Sequence, residues 1–383
     1  MEGDQSVVRF DTADRALLRA GVCLVRRTGG PDEGWHLSVP HDHDDLRRPL
    51  GASVVSPPKA LRDLALGWTR GAPLTAVATE EPTPPRSEVP APQAGGPVSL
   101  VVHDRLVEQV DRLARRDVDV RRGLDGGVHK MRVVCRRLRS LLATFRPVLD
   151  PAEVEALRAE LAWLGGVLGV ARDGTVVHER LRDLVATEPR GLVHGPVLRR
   201  LRATYRGRGR ADVTAALGSR RYFDLRDRLD RLVADPPWTE LASTPARDVV
   251  PDLLRKDFRR FRRRVRTAEE SDDPIVALHD ARKAAKRLRY AAETVRPVVG
   301  RPAHRLAREA RRVTSHLGEL QDTVVTRAEL RALVRAAETA GESTFTYGRL
   351  HAREEARARQ LVRSFRSRDM VGALRKRSRA ARQ

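Results

Sequence analysis

Aromatic residues are scarce, making up 4% of the 383 positions, and this withholds the flat platforms on which single-stranded nucleic acids stack. Cysteine is rarer still. Cys23 and Cys135 lie far apart and neither has a CxxC neighbour, which excludes a disulfide framework and the usual zinc or redox spacings and leaves two free buried thiols as the expectation. No apolar run approaches the roughly 18 residues needed to span a bilayer. The first residues, with Glu2 and Asp4, lack the basic-then-apolar order of a secretory leader, so a cytoplasmic protein with no membrane partner is expected. Lysine is almost missing from a strongly basic chain, with six among 74 basic residues. A GC-rich genome would favour Arg over Lys, but it would not unbalance the charge.

Hydrophobic residues supply 40% of the sequence and charged residues 33%, enough for a core built of Leu, Val and Ala. The length points to two units. Charge separates them sharply: residues 1–97 carry 11 Lys and Arg against 13 Asp and Glu, and residues 98–383 carry 63 against 38. The whole excess behind the net charge of +23 therefore lies in the second part, and such one-sidedness signals an anionic partner.

Between the two parts, EEPTPPRSEVPAPQAGGP (80–97) is crowded with Pro and Gly and reads as an extended linker. Before it, VVRFDT, GVCLVRRTGG and GWHLSVP are Val-rich segments bounded by Gly, Asp and Pro, which predicts a small β-containing region. After it, apolar residues recur at helical spacing in about ten segments separated by Pro, Gly or Asp.

An internal repeat organises that second part. VHKMRVVCRRLRSLLATFRPVLD begins at Val128 and LHDARKAAKRLRYAAETVRPVVG at Leu278, an offset of 150 that pairs His129 with His279, Arg132 with Arg282, Arg136 with Lys286, Arg137 with Arg287 and Arg139 with Arg289. Downstream, LGVARD from Leu168 matches LGELQD from Leu317 at an offset of 149. Two related helical halves, packed about a pseudo-two-fold axis, are the economical architecture.

At about 3.6 residues per turn, His129, Arg132, Arg136 and Arg139 form one stripe, opposite Val134, Leu138, Leu141 and Phe145. The second copy places His279, Arg282, Lys286 and Arg289 across from Ala284, Leu288, Ala291 and Val295. Like charges at these spacings destabilise a helix, and no acid sits within either stripe, which points to an external anion. Arg suits phosphate because its planar fork donates two hydrogen bonds and keeps its proton. A third basic face, Arg255, Arg259, Arg262 and Arg266 on the preceding helix, is expected to line the same cavity. Arg112, Arg115 and Arg116 are its weaker counterpart in the first half.

The paired HxxRxxxRRLR and HxxRxxxKRLR segments, each followed by LGxxxD, resemble the conserved histidine α-helical domain, CHAD, over roughly residues 98–365. That resemblance implies two pseudo-symmetric antiparallel helical bundles around a basic cavity, binding of inorganic polyphosphate, association with polyphosphate granules, and no catalysis. The anion ligands it implies are the two motif stripes, including the aligned Arg137 and Arg287. From about Arg9 to Thr79, FDTADRALLRAGVCLVRR, GWHLSVP and RRPLG look like part of a CYTH domain, the triphosphate tunnel fold. The opening glutamate-rich segment and the second half with its acidic metal ligands are missing, and Ser38 stands where a lysine is expected, although Arg26 and Arg27 remain. A partial α+β remnant without catalysis is the expectation.

The expected organisation is a CYTH-like region at 1–79, a linker at 80–97, CHAD halves at about 98–235 and 246–365, and a solvated basic tail at 366–383. HDHDD (41–45) reads as a solvated turn, not a metal site. The basic segment near Tyr205 reads as flexible, and Asp173 and Asp322 as helix caps or ion-pair partners. No cofactor is expected. Rival functions are general polyanion or nucleic-acid binding, a granule scaffold, and a metal-dependent triphosphatase or polyphosphatase, for which the carboxylates are too few.

Overall fold

Three Val-rich segments pair as antiparallel strands: β1 (Ser6–Asp11), β2 (Cys23–Thr28) and β3 (Gly34–Ser38), with α1 (Ala16–Arg19) between the first two. Adding β4 (Leu46–Arg48) and, after α2 (Lys59–Thr69), β5 (Thr75–Val77) gives a five-stranded sheet in the order β4-β3-β2-β1-β5. The computed structural model describes residues 6–39, 46–48, 55–78, 90–205, 207–367 and 369–382. Asp11, 1% exposed, closes the β1–α1 turn by accepting from the backbone N–H groups of Thr12, Leu17 and Leu18 at 2.7, 2.9 and 2.9 Å, which satisfies donors that a helix start leaves free.

Among the described residues, twelve further α-helices follow. They are α3 (Val98–Arg121), α4 (Gly127–Thr144), α5 (Pro151–Ala186), α6 (Val197–Tyr205), α7 (Arg210–Leu217) and α8 (Arg220–Ala234), then α9 (Ala246–Glu269), α10 (Pro274–Thr294), α11 (Arg296–Val299), α12 (Arg301–Thr339), α13 (Phe345–Ser367) and α14 (Met370–Ala380). Asp150 and Asp273 cap α5 and α10 by accepting from backbone N–H groups, and Pro stands first in each helix, the arrangement that a helix start favours. The chain is mainly helical, with the small sheet at its N-terminal end.

One apolar core joins α3, α4, α5, α8, α9, α10 and α12, with Leu138 and Leu288 of the two motif helices wholly buried in it. The expected halves at 98–235 and 246–365 therefore share a core. The long helices α5 and α12 run beyond it, and their outer ends meet α6 and α13 in a separate cluster around Leu181, Leu201, Leu330 and Leu350.

The sheet and α2 pack on α3 through Ala114 and Val118. Gly67 permits this approach, because a Cβ there would collide with the Asp117 carboxylate. Arg70 adds ion pairs across to Asp227, at 3.0 Å, and to Asp230 of α8. The described end of the expected linker is also docked: Gly96 O accepts from Ala246 N at 2.8 Å and Ala94 O from Arg247 N at 2.9 Å, at the start of α9.

Two expectations of loose basic chain need correction. The tail forms α14, because Leu374, Ser378 and Ala381 make a buried stripe at helical spacing and Asp369 accepts from Gly372 N at 3.0 Å. Tyr205 is buried, its hydroxyl donates to Glu329 at 2.8 Å, and Gly209 lies against the backbone of Ala171. In both segments buried side chains anchor what the density of Arg suggested was solvated. Cys135 is buried as expected, which pushes its thiol up to about 12, while Cys23 is only half-buried.

Candidate anion site

Helices α4 and α10 pack against each other and bring part of each motif stripe to one place. Lys286 of α10 meets Arg132 and Arg136 of α4 and its own neighbour Arg282, with Asp322 of α12 as the opposing charge. Burial and those three guanidinium groups push its ammonium down to about 6. Arg282 feels the same two cations of α4. His129 borders the group beside Arg172 of α5, and burial followed by those cations holds its imidazole below the ordinary histidine value. His279 is held low as well, first by burial and then by Lys283, with Gln321 as a hydrogen-bond partner. Arg282 Nε and His279 Nδ1 are buried donors or acceptors without a hydrogen-bond partner among the described residues, a costly condition that a ligand can relieve.

The second repeated motif explains how these guanidinium groups are seated. LGVARD and LGELQD lie in the middle of α5 and α12, so Asp173 and Asp322 cap no helix end. Asp173 instead accepts from Arg132 at 2.8 Å, and Asp322 sits beside Arg282. One turn earlier, Gly169 and Gly318 leave room for the same two arginines: a Cβ at Gly169 would lie 3.3 Å from Arg132, and one at Gly318 3.4 Å from Arg282. These glycines were not among the sequence candidates, although the LGxxxD repeat already carried them.

Other members of the stripes are drawn off by carboxylates. Arg137 and Arg289 both reach Glu293, at 3.2 and 2.7 Å, and flank the ring of Tyr290, which is 4% exposed and accepts from Arg136 Nε at 3.0 Å. Arg287 pairs at 2.7 Å with Asp257, which is 2% exposed and also accepts from Thr144 at 2.7 Å. Burial holds the Asp257 carboxyl above the usual range even so. Arg139 is exposed and lies toward Arg158, away from the four-cation group. The expectation that no acid relieves the stripes needs correction: Glu293, one turn after Arg289 in the second repeat, takes up Arg289 and Arg137, and Asp257 of α9 takes up Arg287.

The third basic face also departs from expectation. Arg255 and Arg259 line a cleft of about 600 Å³ together with Arg287, Arg158 and the C-terminal end of α4. Arg262 and Arg266 line a second of about 750 Å³ against Phe365, Met370 and Val371. Neither cleft includes Arg132, Arg136, Arg282 or Lys286. The face of α9 points elsewhere because its apolar side, Leu254, Phe258, Phe261 and Val265, is buried in the core. In α3 the comparable cations are paired: Arg112 with Glu108 at 2.6 Å and Arg116 with Asp119 at 2.5 Å.

Among the described residues, no group of three or more His, Cys, Asp or Glu is placed to hold a metal, and no helix is long and apolar enough to cross a membrane. HDHDD (41–45) lies outside the described residues.

Two uncharacterized proteins of Mycobacterium tuberculosis, from two strains, are each 31% identical to this chain over 91% of its length and 85% of theirs. In fold, the chain is similar to PptA from Streptomyces chartreusis, at 24% identity and a TM-score of 0.57, covering 71% of this chain and 98% of that one. It is also similar to the CHAD domain from the plant Ricinus communis, at 23% identity and a TM-score of 0.54, covering 77% of this chain and 96% of that one. The family model for the CHAD domain matches residues 104–331, which contain both motif helices and both LGxxxD segments, and the chain belongs to the CHAD domain family.

Proposed function

We propose that the junction of α4 and α10 binds inorganic polyphosphate and performs no chemistry on it. The observation that carries this reading is the crowding of Arg132, Arg136, Arg282 and Lys286, from two helices, around the carboxylates Asp173 and Asp322. Burial and then repulsion from the three guanidinium groups drive Lys286 down to about 6, and an incoming anion relieves the repulsion. Each phosphoryl group offers acceptors to the fork of an Arg, and a linear polyanion can release counterions along both helices at once. His129 and His279 gain charge beside it.

In this reading, the matched seats of Arg132 on Gly169 and Arg282 on Gly318 reflect two bundles related by a pseudo-two-fold axis, with the polymer lying across it. The N-terminal sheet is a CYTH-like remnant docked on α3, and the protein works in the cytoplasm, at polyphosphate granules. Nucleic acid is the weaker ligand, because Tyr290, the aromatic residue of the stripes, is buried between Arg137 and Arg289 and offers no face to a base.

A thermal melt tests this directly, with the protein alone and with equal phosphate concentrations of long-chain polyphosphate or duplex DNA. A ligand that binds only the folded state raises Tm. A large rise with polyphosphate and a small one with DNA is expected. Equal rises would make the protein a general polyanion binder, and no rise with either would sink the reading.

A further inference from the structure

Helix α9 carries cations that the α4–α10 junction does not use. Among the described residues, Lys256, Arg259, Arg260 and Arg263 have no carboxylate within ion-pair distance, and all four are exposed. They form one wall of the 600 Å³ cleft, and Arg146 and Arg158, both paired with Glu155 at 3.5 and 2.6 Å, stand on the other. At its floor lies the buried pair of Arg287 and Asp257, fixed by Thr144. The two carboxylates that line the cleft are both engaged, Asp257 with Arg287 and Asp252 with Arg255 at 2.8 Å.

Size and shape narrow the ligand. The volume falls within the range of small-molecule sites, roughly 300–1,000 Å³, and the cations converge from three helices instead of running in one line. The neighbouring cleft shares Arg259 and Arg263 and is also rich in Arg, but it adds the apolar side chains of Phe365, Met370 and Val371.

We infer that the cleft between α9 and the C-terminal end of α4 is a second anion site, which takes a compact group of three or more phosphoryl units. This chemistry is shared by a small polyphosphorylated molecule and by the terminus of a polyphosphate chain. Arg259, Arg260 and Arg263 close on the outer phosphoryl oxygens, while Arg158, held by Glu155 at 2.6 Å, borders the opposite wall. Arg287 keeps its carboxylate and shapes the floor.

The test is calorimetric titration of the full chain with tripolyphosphate and, separately, with inositol hexakisphosphate. Wild type is expected to show two classes of site. Reversal of the wall pair, R259E/R263E, should weaken one class by about tenfold or more and leave the other, which R132E/R282E removes. A milder R259Q/R263Q pair serves if the reversal alters the melting curve. Binding by the R132E/R282E variant that R259E/R263E then eliminates supports the cleft even where the junction reading fails. Titrations indifferent to both wall pairs overturn it. Displacement of the hexakisphosphate from the cleft by long-chain polyphosphate identifies a chain terminus as the ligand, and its retention identifies a compact molecule.

Discussion

Helices α3 and α9 each precede a motif helix and pack along it, and both are rich in Arg, yet their charges are balanced differently. On α3, Arg105 and Arg112 share Glu108, Arg116 reaches Asp119, and Arg121 holds the buried Asp117 at 2.8 Å. On α9, Lys256, Arg259, Arg260 and Arg263 face a cleft without such partners. The same contrast separates the motif residues. Arg137 and Arg289 are neutralised by Glu293, whereas Arg132, Arg136, Arg282 and Lys286 crowd together. At the α4–α10 junction Arg132 has Asp173 and Arg282 has Asp322 nearby, while Arg136 and Lys286 have no carboxylate within ion-pair distance among the described residues, so cations outnumber the acids that reach them.

Charge reversal breaks this comparison most forcefully. R132E/R282E is expected to weaken polyphosphate binding by about 100-fold or more, the loss of two charge-assisted contacts of about 1.5–3 kcal/mol each. R112E/R116E on α3 should leave it within about twofold, since those cations are already paired. Calorimetry compares the two, and an equal loss would show that net charge alone governs binding.

The next effect is on stability. Asp257→Ala strands Arg287 half-buried without its partner, and urea denaturation should show a loss of about 3–5 kcal/mol. Glu293→Gln should cost less, because its environment is more open, and should strengthen polyphosphate binding by freeing Arg137 and Arg289. Weaker binding by that variant would contradict the role assigned to Glu293.

Proton linkage sharpens the contrast further. Lys286 lies near 6 in the empty site against an ordinary 10.5, so between those values the unfolded chain holds a proton that the folded chain lacks. The empty fold therefore loses stability as pH falls through that window, and Lys286→Met should raise Tm at pH 7. A bound anion favours the ammonium, so polyphosphate affinity should grow as pH falls from 8 toward 6. Calorimetry in buffers of different ionisation enthalpy should find wild type taking up more protons at pH 7 than the methionine variant. Groups facing Lys286 are His129, Arg132 and Arg136 from α4, Arg282 on its own helix and Asp322 from α12. Equal uptake would remove Lys286 from the site.

The smallest effect is at the two glycine seats. Each Gly→Ala change should stabilise its helix by about 0.5–1 kcal/mol. Each also sets a Cβ against a guanidinium, 3.3 Å from Arg132 at Gly169 and 3.4 Å from Arg282 at Gly318, and should weaken binding a few-fold. Equal binding by Gly169→Ala and wild type would detach that seat from function.

The three strands, the helical character of the second part and the two repeated motifs were legible because each rests on spacings within a few residues. An ion-pair role for Asp173 was legible as one of two for that carboxylate, but its partner, Arg132, was not. The order of α14 and the burial of Tyr205 were not, because each depends on distant side chains: the shared core for Leu374 and Glu329 for Tyr205. The separation of the α9 face from the four-cation group depends on which side of α9 the core buries, and a helical wheel drawn for one helix cannot orient it against another.

The sequence by itself determined where the charge excess lies, which residues form stripes on their helices, and that LGxxxD accompanies each stripe, since charge, periodicity and repetition are properties of the linear chain. Only the tertiary structure decided which cations stay uncompensated. Glu293 reaches Arg137 across 156 positions and Asp257 meets Thr144 across 113. Pairs such as Arg112 with Glu108 and Arg116 with Asp119 are set by helical spacing. Coulomb attraction acts through space, however, so pairs between helices, such as Arg137 with Glu293 and Arg287 with Asp257, are chosen by packing.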